Sequence, residues 1–129
     1  MLSRPSARPL PVTFLIGTML FSVLCAAPLA AKGFRQIETR SDFLALVDGH
    51  VLWSLGLSMR LHANGNLRGK SLGRRVTGRW HWKDGLFCRT MSAGDDTLPM
   101  NCQSVKTLAN TLRFTADAGK GRKRDFEIR

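Results

Sequence analysis

The chain has no apolar run long enough to cross a bilayer as a helix. The segment VTFLIGTMLFSVL, from Val12 to Leu24, has thirteen residues, where a spanning helix needs about 20. That argues against a retained membrane anchor. Arg4 and Arg8 precede the run with no acid beside them, and the small-residue stretch CAAPLAA follows it. Charged, then apolar, then small is the order of a secretory signal peptide. Cleavage is expected after Ala31, with Leu29 and Ala31 at the recognition positions. Lipidation of Cys25 would need a small residue just before it, and Leu24 is not small. Residues 1–31 are thus expected to be an export signal, and residues 32–129 a single small β-domain in the periplasm or outside the cell.

Cysteine is scarce, and after removal of the signal only Cys88 and Cys102 remain. Neither belongs to a CxxC pair or a His/Cys cluster, which argues against a metal centre or a dithiol redox site. An even pair in an exported chain is most simply a disulfide. Closing this loop of fifteen residues contributes roughly 3 kcal/mol in the chain-entropy model. Acids are scarce as well, nine against twenty Lys and Arg. The signal takes two cations and no acid, so the remaining domain carries 18 against 9, a net charge of +9. Such a balance favours anionic surfaces or polymers.

Catalytic signatures are missing. There is no GxSxG nucleophile motif, and His50, His62 and His81 occur singly, without HxH or HExxH spacing. Asp95 and Asp96 adjoin in SAGDDTLPM, and we read them as a solvated loop tip, since nothing supplies a partner base or further cation ligands. The stretch GNLRGKS, residues 65–71, is one residue short of a P-loop and follows a hairpin turn instead of joining a strand to a helix. GKGRKR, near the end of the chain, lacks dinucleotide-fingerprint spacing and any βαβ unit to serve. It reads as a basic hairpin turn. No catalytic residue, metal ligand or cofactor is expected.

What is present is a β pattern. Lys32–Glu38 reads as a tether. In TRSDFLALVDG, Thr39 or Ser41 can cap a helix over residues 41–48, with Phe43, Leu44, Leu46 and Val47 on one apolar face and Gly49 stopping it. From Val51 the period becomes two. Leu57, Met59 and Leu61 alternate with Ser58, Arg60 and His62; Asn-Gly supplies a turn; Val76, Gly78, Trp80 and Trp82 alternate with Thr77, Arg79, His81 and Lys83. Further strands are expected at 86–91, 101–106, 111–116 and 124–128. The fold class expected is mainly β, a small antiparallel meander or barrel with one short N-terminal helix, acting as a plug, and one disulfide.

The hairpin TGRWHWKDGLFCRT permits two registers. A two-residue Asp84-Gly85 turn sets Trp80 opposite Arg89 and Trp82 opposite Phe87. A three-residue Lys83–Gly85 turn sets Trp80 opposite Cys88 and Trp82 opposite Leu86. The second is expected, because it keeps Arg89 off the tryptophan face and turns Phe87 outward. With the apolar positions inward, Arg60, His62, Arg68, Lys70, Arg79, His81 and Arg89 form an outward cationic face. These are the candidate anion-binding residues. One outward aromatic, Phe87, is too few for single-stranded nucleic-acid binding, so specific nucleic-acid recognition is not expected.

GRRVTGRWHWKDGLFCRT, NCQSVKTLANTLRFTADAGKG and the terminal DFEIR together resemble a group of small exported bacterial proteins of unknown function sharing GxW-x-W, FCR, CQ and LRF. The resemblance covers roughly residues 39–129, and the setting of Cys88 and Cys102 is its most specific part. Some members carry the name dihydrodipicolinate reductase. A nicotinamide-dependent reductase would need a dinucleotide-binding βαβ domain and far more chain, so that name implies nothing for these residues. The expectation is an exported non-catalytic domain binding anionic lipid, acidic polysaccharide or an acidic protein through its basic sheet face. The alternative is a small structural or inhibitor-like module, against which its positive charge counts when the target is a basic lysozyme. An enzyme on anionic envelope polymers would need acids converging near the cationic face.

Overall fold

The computed structural model describes residues 3, 5–13 and 33–129. The expected cleavage after Ala31, Cys25 and most of the apolar run lie outside these residues. Two units divide the chain, Met1–Ala30 and Ala31–Arg129, and every element below belongs to the second. Among the described residues no helix is long and apolar enough to cross a membrane.

The elements are β1 (Arg35–Gln36), α1 (Arg40–Val47), β2 (Leu52–Ser54), β3 (Leu57–Leu61), β4 (Asn66–Ser71), β5 (Arg74–Lys83), β6 (Leu86–Ala93), β7 (Asp96–Leu108), β8 (Thr111–Thr115), α2 (Ala116–Gly119) and β9 (Lys123–Ile128). From β2 onward each strand pairs antiparallel with the next, and β9 returns to β2 through Leu52 opposite Ile128 and Trp53 opposite Glu127. The result is a closed eight-stranded up-and-down barrel. Closure removes the free sheet edges that an open meander would expose. The expected mainly-β meander or barrel, with a short N-terminal helix and the Cys88–Cys102 disulfide, is the fold observed.

Thr39 caps α1, its hydroxyl accepting from the Asp42 N–H at 3.2 Å, and Gly49 turns the chain away at φ 76°. An eight-residue helix is not stable alone in water. Its anchor is Phe43, one turn from Val47, and both are fully buried. The Phe43 ring lies 5.0 Å from Trp82, 5.3 Å from Phe87 and 5.6 Å from Trp80 between centroids. The helix thus plugs the barrel end that carries the β3–β4 and β5–β6 turns. Arg40 bonds the Ala63 carbonyl there at 2.6 Å, and the Trp80 indole N–H donates to the His62 carbonyl at 2.9 Å. At the opposite end, ringed by the β2–β3, β4–β5, β6–β7 and β8–β9 connections, the helical piece among the described residues is the four-residue α2, which buries none of its side chains.

Three expectations change. Residues 33–38 are not a tether: Arg35 and Gln36 pair with Thr107 and Lys106, and Ile37 is fully buried, donating to the Val105 carbonyl at 2.9 Å. The thirteen-residue β7 runs past the start of β6, and β1 takes up that open stretch. The acidic stretch after Ala93 is also strand, not loop, beyond a tight Gly94-Asp95 turn.

The third correction is the hairpin register. Asp84 and Gly85 adopt φ 51° and 75°, both left-handed, which matches the right-handed twist of the strands. The pairs are Trp82 with Phe87, His81 with Cys88, and Trp80 with Arg89. Phe87 therefore enters the core, where it is buried, and Arg89 shares the inner face. Cys88 faces the outer wall, directly opposite Cys102, with which it forms the disulfide.

Candidate functional site

Of the seven cationic candidates, the sheet gathers Arg60, Arg68 and Lys70. Arg60 stands directly opposite Arg68 across β3 and β4, and Lys70 stands opposite Arg75 across β4 and β5. Arg60, Arg68 and Lys70 line a hollow of about 280 Å³ on the outer wall, with Ser58 and Val51 beside them. Like charges placed opposite each other cost stability, and nothing acidic offsets them here. No Asp or Glu occurs between Asp48 and Asp84. Among the described residues the ion pairs are Arg74–Asp96, Arg113–Asp125 and Arg129–Glu127, none of which involves the hollow.

The other candidates divide. Arg79 is outward on β5, but its guanidinium is engaged by the Asn66 side chain at 2.6 Å. His62 is exposed in the β3–β4 turn at the plugged end, and His81 is exposed on β5 beside the disulfide. Both lie away from the hollow. Arg89 does not belong to the outer face at all.

Instead, Arg89 lines a second space, a cavity of about 480 Å³ at the open end of the barrel. A β-bulge lies beside it. Between the pairs Arg89–Asn101 and Met91–Leu98, two residues of β7, Pro99 and Met100, oppose Thr90 alone. Proline has no N–H to give to a ladder, so a bulge tolerates it. The Pro99 carbonyl accepts from the Arg89 guanidinium at 3.1 Å. Partial burial pushes Arg89 below the usual arginine range, though a guanidinium remains charged at neutral pH.

The cavity wall is apolar, built by Leu57, Met59, Leu67, Phe87, Phe114 and Phe126, and Arg122, Lys123 and Arg124 join Arg89 in its lining. No acid is among the lining residues. The GKGRKR stretch, expected to be only a basic turn, brings its cations to this mouth. The β8–β9 connection, which carries Arg122 and leads into Lys123 and Arg124 on β9, holds its shape through Asp117, at φ 54°, whose carboxylate accepts from the Asn101 amide at 2.7 Å. Arg113, by contrast, is committed: two bonds of 2.7 and 2.8 Å to Asp125 hold that carboxylate below its usual range.

Alternation along the strands turns Arg60, Arg68 and Lys70 outward, and the acid-free stretch between Asp48 and Asp84 is the further sequence signal that they lack counter-charges. The cavity had no such signal, because the register decides which face Arg89 occupies. Among the described residues, no group of three or more His, Cys, Asp or Glu could hold a metal ion. The chain matches no family model, curated protein or solved structure, so the reading of both spaces rests on its own residues.

Proposed function

We propose that the chain is an exported, non-catalytic β-barrel that binds an anionic partner of the cell envelope, first among them the headgroup layer of an anionic lipid surface. The observation that carries this reading is the outer hollow. Arg60 and Arg68 face each other directly, Lys70 completes the lining, and no carboxylate neutralises them. An anionic headgroup would relieve their mutual repulsion, and the surrounding net positive charge would draw such a surface in. The Cys88–Cys102 disulfide supports the exported part of the reading, since such bonds persist in oxidising compartments.

The test is sedimentation with vesicles of phosphatidylcholine, with and without phosphatidylglycerol, across a salt series. Each cation near an anionic surface contributes about 1 kcal/mol, so replacing Arg60, Arg68 and Lys70 together with glutamine is expected to weaken binding roughly 100-fold. Binding should also fade as salt rises. Equal affinity of the triple variant and the parent protein would defeat the reading. Retention on heparin with none on vesicles would move the partner from lipid to acidic polysaccharide.

A further inference from the structure

We propose that the open end of the barrel is a binding site for a single-chain amphiphile with an anionic head, its tail in the apolar cup and its head against Arg89. The site is separate from the outer hollow. Met59 borders both spaces; the other cavity residues come from β3, β4, β6, β7, β8 and β9 and from the β8–β9 connection.

The charges at the mouth are unbalanced. Arg89 is half-buried, and a charge withdrawn from water needs a partner. A guanidinium has five N–H donors. Among the described residues one hydrogen bond satisfies Arg89, to the Pro99 carbonyl, and no carboxylate pairs with it. Arg122, Lys123 and Arg124 add positive charge to the lining without adding an acceptor. The mouth therefore selects an anion and repels a cation.

The wall below selects something else. Leu67, Phe114 and Phe126 are buried core residues that also face the cavity, and each buried methylene of a ligand gains about 0.8 kcal/mol from such a surface. A bare inorganic anion would leave that wall unused. A neutral hydrophobe would fill the cup and leave Arg89 without its counter-charge. A ligand carrying both an apolar chain and one anionic head satisfies both ends. The volume, about 480 Å³, falls within the roughly 300–1,000 Å³ typical of small-molecule sites. Eight-stranded barrels are wide enough to hold one such ligand.

The surroundings of the mouth fit delivery from a lipid layer. Leu55 and Leu72 stand at the tips of the β2–β3 and β4–β5 turns, each 85% exposed. The two turns touch, the Leu72 N–H donating to the Gly56 carbonyl at 2.9 Å. After Gly73 come Arg74, paired with Asp96, and the exposed Arg75, and Leu98 lies on the lip, nearly half exposed. Apolar tips flanked by cations are the arrangement that enters a headgroup layer.

Equilibrium dialysis of the purified protein with dodecanoate and with dodecanol, which share a chain and differ in the head, tests the site. Dodecanoate is expected to bind more tightly than dodecanol. Arg89→Gln is expected to weaken dodecanoate roughly tenfold or more, as the loss of one charge-assisted hydrogen bond implies, while leaving dodecanol within about twofold. Arg122→Gln with Arg124→Gln, both exposed positions, gives the same selective loss without touching the core. Equal binding of acid and alcohol overturns the proposal. So does dodecanoate binding that survives the Arg89 and Arg122/Arg124 changes but disappears when Arg60, Arg68 and Lys70 are replaced, which places the anion in the outer hollow and leaves the lipid-surface reading standing.

Discussion

Phe43→Ala is expected to destabilise the domain by about 3–5 kcal/mol, the cost of removing a buried aromatic ring from a packed core. The site justifies the upper part of that range. Phe43 is fully buried, and besides Trp80, Trp82 and Phe87 its ring meets Phe114 edge-on at 6.2 Å. Nothing in α1 can slide in to fill the space, because Val47 already occupies its own buried place one turn on. A small domain has only about 5–15 kcal/mol in total, so the loss is a large share of its stability. The check is urea unfolding followed by tryptophan emission. Phe43→Ala should lower the midpoint sharply and shift native emission to the red as Trp80 and Trp82 become wetter. A change within about 0.5 kcal/mol, the size of an ordinary surface substitution, would mean that α1 does not plug the barrel.

The second large effect is expected at Gly69. This residue pairs with Met59 on one side and Val76 on the other, both core positions, so a side chain there would point inward. A Cβ would collide with the Ser58 carbonyl oxygen and lie 2.8 Å from the Met59 Cα. Both obstacles are backbone, and neither can rotate aside. Glycine in a strand often marks such a close approach of a neighbouring backbone, and here it lets β3 and β4 bend together into a narrow barrel. Gly69→Ala is expected to cost at least about 1–3 kcal/mol, the usual range for overpacking. Gly33 supplies the control, since a Cβ there meets nothing within 4 Å. If Gly69→Ala melts at the temperature of Gly33→Ala, the β3–β4 approach is not as tight as described.

Much of this architecture was legible because a half-buried strand writes core and surface in alternate letters. Leu57, Met59 and Leu61 are buried while Arg60 between them is exposed, and the same alternation exposed Arg68 and Lys70. The short β1 was not legible, since two residues have no period and their pairing depends on how far β7 outruns β6. The first half of β7 was hidden by Asp95, Asp96 and Pro99, residues that ordinarily mark loops; the bulge opposite Thr90 is what admits the proline.

Arg89 is the most instructive departure. The rule that a charge avoids a tryptophan face favoured the longer turn, but that rule presumes a barrel filled along its length. Aromatic rings from α1, β5, β6 and β8 fill the plugged half, and the other half is a cup in which a guanidinium can lie. Local turn chemistry, Asp-Gly with both residues at positive φ, prevailed over the burial argument. The same choice moved Cys88 to the outer wall and Phe87 to the core.

The barrel is proposed to hold anions at places defined by its own uncompensated cations. The most direct measurement is an amide-shift map of the isotopically labelled protein titrated with bicelles containing phosphatidylglycerol. Shifts are expected to concentrate on β3 and β4 around Arg60, Arg68 and Lys70, to be absent with neutral bicelles and to be suppressed by salt. Shifts confined to α1 and the β5–β6 turn at the plugged end, or equal shifts with neutral bicelles, would contradict it.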